Sequence, residues 1–345
     1  MKKKLVALLS FLLVLSVILA GCTEKTEETK SRLDVIKDRG KLIGGVNADI
    51  PGFGYVASDG SYSGMDVDIT TAIAAAIFGD PKAVEFRPLS AEERFIAVQT
   101  GEVDVLARNT THTLTRDGSV GLAFAPVTFY DGQGLIVRED SGIESLEDLE
   151  GARISVESGT TTELNLADQM RNLGISYEPV VFDSQDAAVA AYEEGSVDAY
   201  TTDRSALVSR RTTLSNPDEH VILDDVISKE PLAPSVKDGD SQWIDVVSWT
   251  VNALIQAEEY GITQANIDSF MDSEVPEIRR FLGVEGDMGE QLGLPKDFVV
   301  QAIKAVGNYG EIYDRHLGPD TVFDLERGLN HLWTNEGLMY SPPFR

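Results

Sequence analysis

The sequence predicts an α/β protein of two similar lobes, each built on a largely parallel sheet. Three observations carry this. From Ser31 onward, short β-branched runs alternate with segments of helical periodicity. A strand, helix, strand unit occurs twice: Ser90 precedes Gly101-Glu102-Val103-Asp104 at the spacing at which Ser184 precedes Gly195-Ser196-Val197-Asp198, after strand-like Val84 to Pro88 and Tyr177 to Phe182 respectively. The chain has 345 residues, 42% hydrophobic and 25% charged, enough for two domains with their own cores.

Taken in order, Lys2, Lys3 and Lys4 precede an apolar run from Leu5 to Leu19 that is short for a transmembrane helix, and Leu19-Ala20-Gly21-Cys22 closes it. This reads as an export signal over residues 1–22. Its last four residues resemble a lipoprotein box, in which Cys22 becomes the lipid-modified first residue and the anchor to the membrane. Residues 23–31, rich in Thr, Glu and Lys, form a flexible tether. Lys41 to Val46 is the first strand. Ile69, Ala72, Ile73, Ala76 and Ile77 share one helix face, and Gly79-Asp80-Pro81 stops that helix. Ala83 to Phe86 is a strand, Ser90 and Glu93 make a capping box for a helix ending at Gly101, and Glu102 to Ala107 is a strand. In the second copy Arg153 to Val156 is a strand, Gly159 to Thr162 a turn and Glu163 to Leu173 a helix. After Pro231 and Pro234 the pattern becomes helical: Trp243 to Ala257, Gln264 to Phe270, Pro276 to Leu282, and Asp297 to Tyr309 after Pro295. The tail, Asn330 to Arg345, is rich in aromatics and prolines and packs on a lobe surface.

Composition removes several function classes. Fifty-seven Asp and Glu against 29 Lys and Arg give a net charge of -28, so a nucleic-acid binder is excluded and an anionic ligand needs a locally built cationic site. One cysteine allows no internal disulfide and no Cys-based metal site. His112, His220, His316 and His331 form no metal-binding pair, and phosphate-loop and nucleophile-elbow motifs are absent from the sequence. Gly52 to Ala57 matches a loose dinucleotide fingerprint, but Pro51 before it and Asp59-Gly60 after it argue against a helix there. No cofactor and no metal are expected.

The positive signal lies at strand ends, where open α/β sheets bind ligands beside helix N-termini. Three segments qualify: Arg108-Asn109-Thr110-Thr111 with Thr113, Thr115 and Arg116; Gly159 to Thr162; and Thr201-Thr202-Asp203. The repeat sets Asn109 and Asp203 at equivalent strand ends. A guanidinium, hydroxyls, backbone N–H groups and one carboxylate suit a zwitterion: Arg116 for a carboxylate, the Thr-rich turns as further donors, Asp203 for an ammonium group.

These stretches, with Gly64-Met65-Asp66-Val67-Asp68, Tyr130-Asp131-Gly132-Gln133-Gly134 and Ser158-Gly159-Thr160-Thr161, resemble the extracellular solute-binding proteins of the polar amino acid ABC-transporter family, family 3. Arg108 to Thr111 and the long region ending in Tyr340-Ser341-Pro342-Pro343 are similar to its general L-amino-acid-binding subgroup. The resemblance implies a type II periplasmic-binding-protein fold with a helical C-terminal extension. It implies lobe 1 from residues 32–134 and 232–345, lobe 2 from 135–231, and hinges near Asp131 to Gly134 and Pro231 to Pro234. It implies a monomeric, non-catalytic lipoprotein outside the cytoplasm that closes on a polar L-amino acid and delivers it to an ABC permease. Arg116 would hold the α-carboxylate, helped by Thr111 and by Thr160 or Thr161; Asp203 would hold the α-ammonium, helped by Asn109 and Thr111. Asn47 stands where members that bind basic amino acids have Asp, and Arg108 where they have a small polar residue. That exchange favours Glu, Gln, Asp or Asn, or a broad neutral range, unless Arg108 pairs with a nearby carboxylate and points away. The alternatives are an exported enzyme on the same fold, such as a cyclohexadienyl-type dehydratase, or an amino-acid sensor.

Overall fold

The computed structural model describes residues 30–345; the export signal, Cys22 and residues 23–29 of the tether lie outside the described residues. Two five-stranded sheets share one topology. In the first, Leu42–Val46 pairs parallel with Val84–Pro88 and with Val105–Leu106, and Ser235–Lys237 runs antiparallel between Val105–Leu106 and Leu122–Phe124. In the second, Arg153–Glu157 pairs parallel with Glu178–Phe182 and Ala199–Asp203, and Gln133–Arg138 runs antiparallel between Ala199–Asp203 and His220–Ile222. In each sheet the one antiparallel strand is the one that has just crossed from the other lobe. A short antiparallel ladder, Phe129–Asp131 with Glu230–Leu232, carries both crossings. Gln133 and Gly134 already pair with Asp203 and Thr202 in the second sheet, so the first crossing ends before the expected boundary at 134.

The repeated sequence unit has a structural cause. Gly101 and Gly195 both take positive φ (77° and 73°), which ends each helix without a Cβ clash. The aspartate three residues on then fastens the neighbouring strand: Asp104 Oδ2 accepts from Ile43 N and Asp198 Oδ2 from Arg153 N, both at 2.7 Å. Asp104 is fully buried at its side chain and is also paired with Arg32 and Arg39. Period-two alternation sorts the second sheet, with Leu135 and Val137 on one face and Ile136 on the other. The main core joins the first sheet to the Met65–Phe78, Ser241–Glu259, Phe298–Val306 and Tyr309–His316 helices, and Trp243 Nε1 donates to Asp104 O at 2.8 Å.

Some expected elements differ. The strand expected over Glu102 to Ala107 is only Val105–Leu106, because Asp104 is drawn into its ion-pair cluster. Asp297 to Tyr309 is not one helix: Gly307, at φ 85°, ends Phe298–Val306, and Asn308 with Glu311 forms a capping box that starts Tyr309–His316. Gln264 to Phe270 shortens to Ile267–Phe270 as Asn266 bonds back to Thr263. Gly54–Val56 is a strand of a small meander and is followed by strand Tyr62–Ser63, not directly by a helix. The tail joins the core, with Phe344 edge-on to Trp249 and Phe281.

Candidate functional site

The carboxyl ends of both sheets face one narrow cavity. Asn47, Arg108, Asn109 and Thr111 line it from the first lobe and Thr160, Thr161 and Asp203 from the second, so seven of the eight expected ligand residues converge. The cavity holds about 30 Å³, on the scale of a few water molecules. The lobes are closed over it. Ser158 Oγ donates to Glu92 Oε1 at 2.8 Å, Ser209 Oγ to Pro51 O at 2.7 Å, and Arg210 Nη1 to Asp49 O at 2.7 Å. Entry of an organic solute therefore requires the lobes to part.

Several buried groups at the cavity are unspent. Asn109 sits at φ 42°, uncommon for a residue with a side chain, with its N–H donating to Asp66 Oδ2 at 3.0 Å. Both polar atoms of its buried amide lack a partner among the described residues. Burial lifts the Asp66 carboxyl to about 6. Asp203 occupies the N-cap position of Arg204–Arg211 yet makes no capping bond, so the ordinary structural role of such an aspartate is not taken up. Burial first, then the charges of Asp131 and Glu230, push its carboxyl well above the usual range. Asp131, opposite Glu230 in the hinge ladder, is raised to about 6, again mainly by burial.

The cationic side is richer than the sequence suggested. Arg94, which opens the Arg94–Thr100 helix, lines the cavity at 3% exposure. Its Nε has no partner, its Nη2 reaches Gly159 O across the cleft at 3.4 Å, and its guanidinium lies 4.7 Å from the Phe95 ring centre. Burial, and then the Arg108 and Arg116 charges, drive its pKa well down. Arg108 also faces the cavity; its Nε donates to Leu89 O at 2.7 Å and its Nη2 stands 3.7 Å from Glu157 Oε1. It thus both meets a carboxylate and faces the ligand space. Asn47 Oδ1 accepts from Asp49 N at 2.9 Å, which leaves its NH₂ group for a ligand.

Arg116 is the exception. It is not among the cavity-lining residues, because its Nη1 donates to Thr111 O at 2.8 Å and its guanidinium rests 5.1 Å from the Phe95 ring centre. It lies behind Thr111, within electrostatic reach of Glu230 and Asp203, and burial lowers its pKa to about 10. Sequence reasoning also missed Arg94, Glu157, Gln185 and Glu230. Arg94 was findable by the strand-end rule, since it lies in the first turn after the strand ending at Pro88; Glu230 had no local signal.

The family model for bacterial extracellular solute-binding proteins, family 3, matches residues 42–266. This chain belongs to that family. The general L-amino acid-binding periplasmic protein AapJ of Rhizobium johnstonii is 49% identical over 347 residues, covering all of both chains. The glutamate/glutamine/aspartate/asparagine-binding protein BztA of Rhodobacter capsulatus is 49% identical over 316 residues, covering 91% of this chain and 94% of its own. An ABC transporter periplasmic binding protein from Brucella ovis, solved with glutathione bound, superposes with a TM-score of 0.90 at 51% identity over 92% of this chain and 100% of that one. The architecture is the type II periplasmic-binding-protein fold of this solute-binding family.

Proposed function

We propose that this solute-binding protein captures polar L-amino acids outside the cytoplasm and delivers them to an ABC permease, with Glu, Gln, Asp and Asn as the main ligands or within a broader range. One observation carries the reading. The closed cleft sets a buried acceptor that makes no capping bond, Asp203, for an ammonium group, beside a buried donor with no partner among the described residues, Arg94 Nε, for an acidic or amide side chain. Asp203 takes the α-ammonium, with Asn109 and Thr111. Arg116 takes the α-carboxylate once its guanidinium turns from Thr111 O into the cavity, aided by the N–H groups that open the Thr161–Leu173 helix at Thr160 and Thr161. Arg94, Arg108 and Asn47 then meet the side chain, a donor set that favours carboxylate and amide ends over basic ones. Residues 32–134 with 232–345 and residues 135–231 act as the two moving bodies. Cys22 carries the lipid that holds a monomer at the membrane.

The test is titration calorimetry of soluble protein, unfolded and refolded to release carried ligand, against the twenty L-amino acids and glutathione, the latter because a relative half identical in sequence holds it. Micromolar or tighter binding of Glu, Gln, Asp or Asn is expected. Binding of none of them refutes the reading, and turnover of cyclic acids, assayed separately on the same protein, would favour the enzymatic alternative.

A further inference from the structure

Glu230 is 1% exposed at the start of hinge strand Glu230–Leu232, and both its oxygens are filled. Oε1 accepts from Asn165 Nδ2 at 2.7 Å and Ser228 Oγ at 2.5 Å. Oε2 accepts from Thr111 Oγ1 at 2.6 Å and Thr161 Oγ1 at 2.9 Å. A threonine hydroxyl has one proton to give and two lone pairs to receive with. With those protons committed to Glu230, the 3.3 Å contact between the two hydroxyl oxygens brings acceptors together. Thr160 is spent likewise, its hydroxyl donating to Glu157 O at 2.7 Å. These hydroxyls are thus placed to accept, as expected of Thr111 toward an ammonium group, and not to donate to a carboxylate.

We propose that Glu230 is a specificity-determining positioning residue: it takes the hydroxyl protons of Thr111 and Thr161, so that both present only acceptors to the cavity and form, with Asp203, a three-acceptor cup for a primary ammonium group. The inference rests on the amino-acid reading above and deepens it. Thr111 follows a strand of the first sheet and Thr161 opens the helix after a strand of the second, so the cup is complete only when the lobes close. Glu230 thereby ties ammonium recognition to closure. Arg116, whose charge acts on Glu230 and Asp203 from behind Thr111, offsets the buried negative charge and keeps it in place.

The experiment compares L-glutamate with glutarate, and L-glutamine with its des-amino counterpart, by calorimetry on wild type, Glu230→Gln, Thr161→Val and Thr161→Ser, each checked for cooperative thermal unfolding. Wild type should prefer the amino form strongly. Glu230→Gln turns one acceptor into a donor, and Thr161→Val removes one half-buried hydroxyl while leaving the hinge residue Glu230 with its three other hydrogen bonds. Each should narrow the preference by roughly tenfold or more, through loss of the amino ligand and not of the des-amino one. Thr161→Ser, which keeps the hydroxyl, should restore it. If Glu230→Gln and Thr161→Val weaken both ligands of a pair equally, or leave the preference intact, Glu230 serves closure alone and the proposal is overturned. Failure of wild type to bind any amino acid instead overturns the underlying reading.

Discussion

Replacing Arg94 by Met separates what the cleft spends on being empty from what it gains when filled. With the lobes closed the Arg94 guanidinium is buried, its Nε has no partner among the described residues, and two further buried arginines stand nearby. An unsatisfied buried polar group costs about 1–3 kcal/mol, and the long Gly159 contact and the Phe95 face recover only part of that. Methionine keeps the apolar stem and removes the charge. A net relief of about 1–2 kcal/mol should make the empty closed form about five- to thirtyfold more populated. A ligand carboxylate, by contrast, would satisfy Nε with a charge-assisted bond worth about 1.5–3 kcal/mol, so Arg94→Met should weaken Glu and Asp by about ten- to hundredfold and the amides less. A fluorophore pair across the lobes reads closure without ligand, and calorimetry reads affinity. An Arg94→Met protein that is more open when empty and binds Glu as well as wild type does would refute the reasoning on both counts.

Protonation should act on this cleft with opposite signs on the empty and filled forms. Burial holds Asp131 near 6 and Asp203 well above its ordinary range, so the folded, closed state binds protons that the unfolded chain releases; the ligand-free protein should gain stability as pH falls from about 7 to 5, and thermal unfolding across that range checks it. An ammonium ligand needs ionised Asp203, whose carboxyl is held well above its ordinary range, so affinity should fall as pH falls, and Asp203→Asn should bind weakly and lose that pH dependence in calorimetry. Asp104→Asn should cost about 2–3 kcal/mol in denaturant unfolding, because it weakens the bonds of a buried carboxylate to two half-buried arginines and to Ile43 N, whereas Asp198→Asn, whose partner Arg153 N is at an exposed strand end, should cost about 1 kcal/mol. Asn330 holds the outer edge of the hinge, accepting from Tyr130 N at 2.6 Å and donating to Tyr130 O at 3.1 Å; Asn330→Ala should shift the lobes toward the open form, read by the same fluorophore pair, with about 1–2 kcal/mol lost.

What the sequence made legible follows the range of the interaction concerned. Asp104 and Asp198 each bond the first residues of a neighbouring strand, and that requirement, imposed once per lobe, wrote the same short pattern twice. Gly79 as a helix stop is likewise local, whereas the N-cap at Thr160 starts its helix at Thr161, two residues before the expected Glu163. The Asp297 to Tyr309 error has the same scale: apolar periodicity ran through Gly307, and only the Asn308-Glu311 box marked the break. The strand-end rule found Asn109, Thr161 and Asp203 because sheet topology alone brings those ends together.

The chemistry of those ends was not legible, because it is set by partners distant in sequence. Arg116 was the natural carboxylate anchor for a strand-end reading, yet the structure turns it onto Thr111 O and leaves the cavity wall to Arg94 and Arg108. In a chain of net charge -28 an anionic ligand group needs a local cationic site, and Arg94 and Arg108 in the cavity wall, with Arg116 behind them, supply it. Glu157 and Asp203 offset the pKa lowering at Arg94, and Glu230 and Asp203 offset it at Arg116, each carboxylate from a different segment. The polarity of Thr111 and Thr161 is the sharpest case. Whether a threonine donates or accepts depends on what takes its proton, and here the taker, Glu230, arrives from the second hinge crossing with Asn165 and Ser228 fixing its other oxygen. Residue type at a strand end therefore locates the cleft, while the direction of each hydrogen bond in it is decided at the hinge.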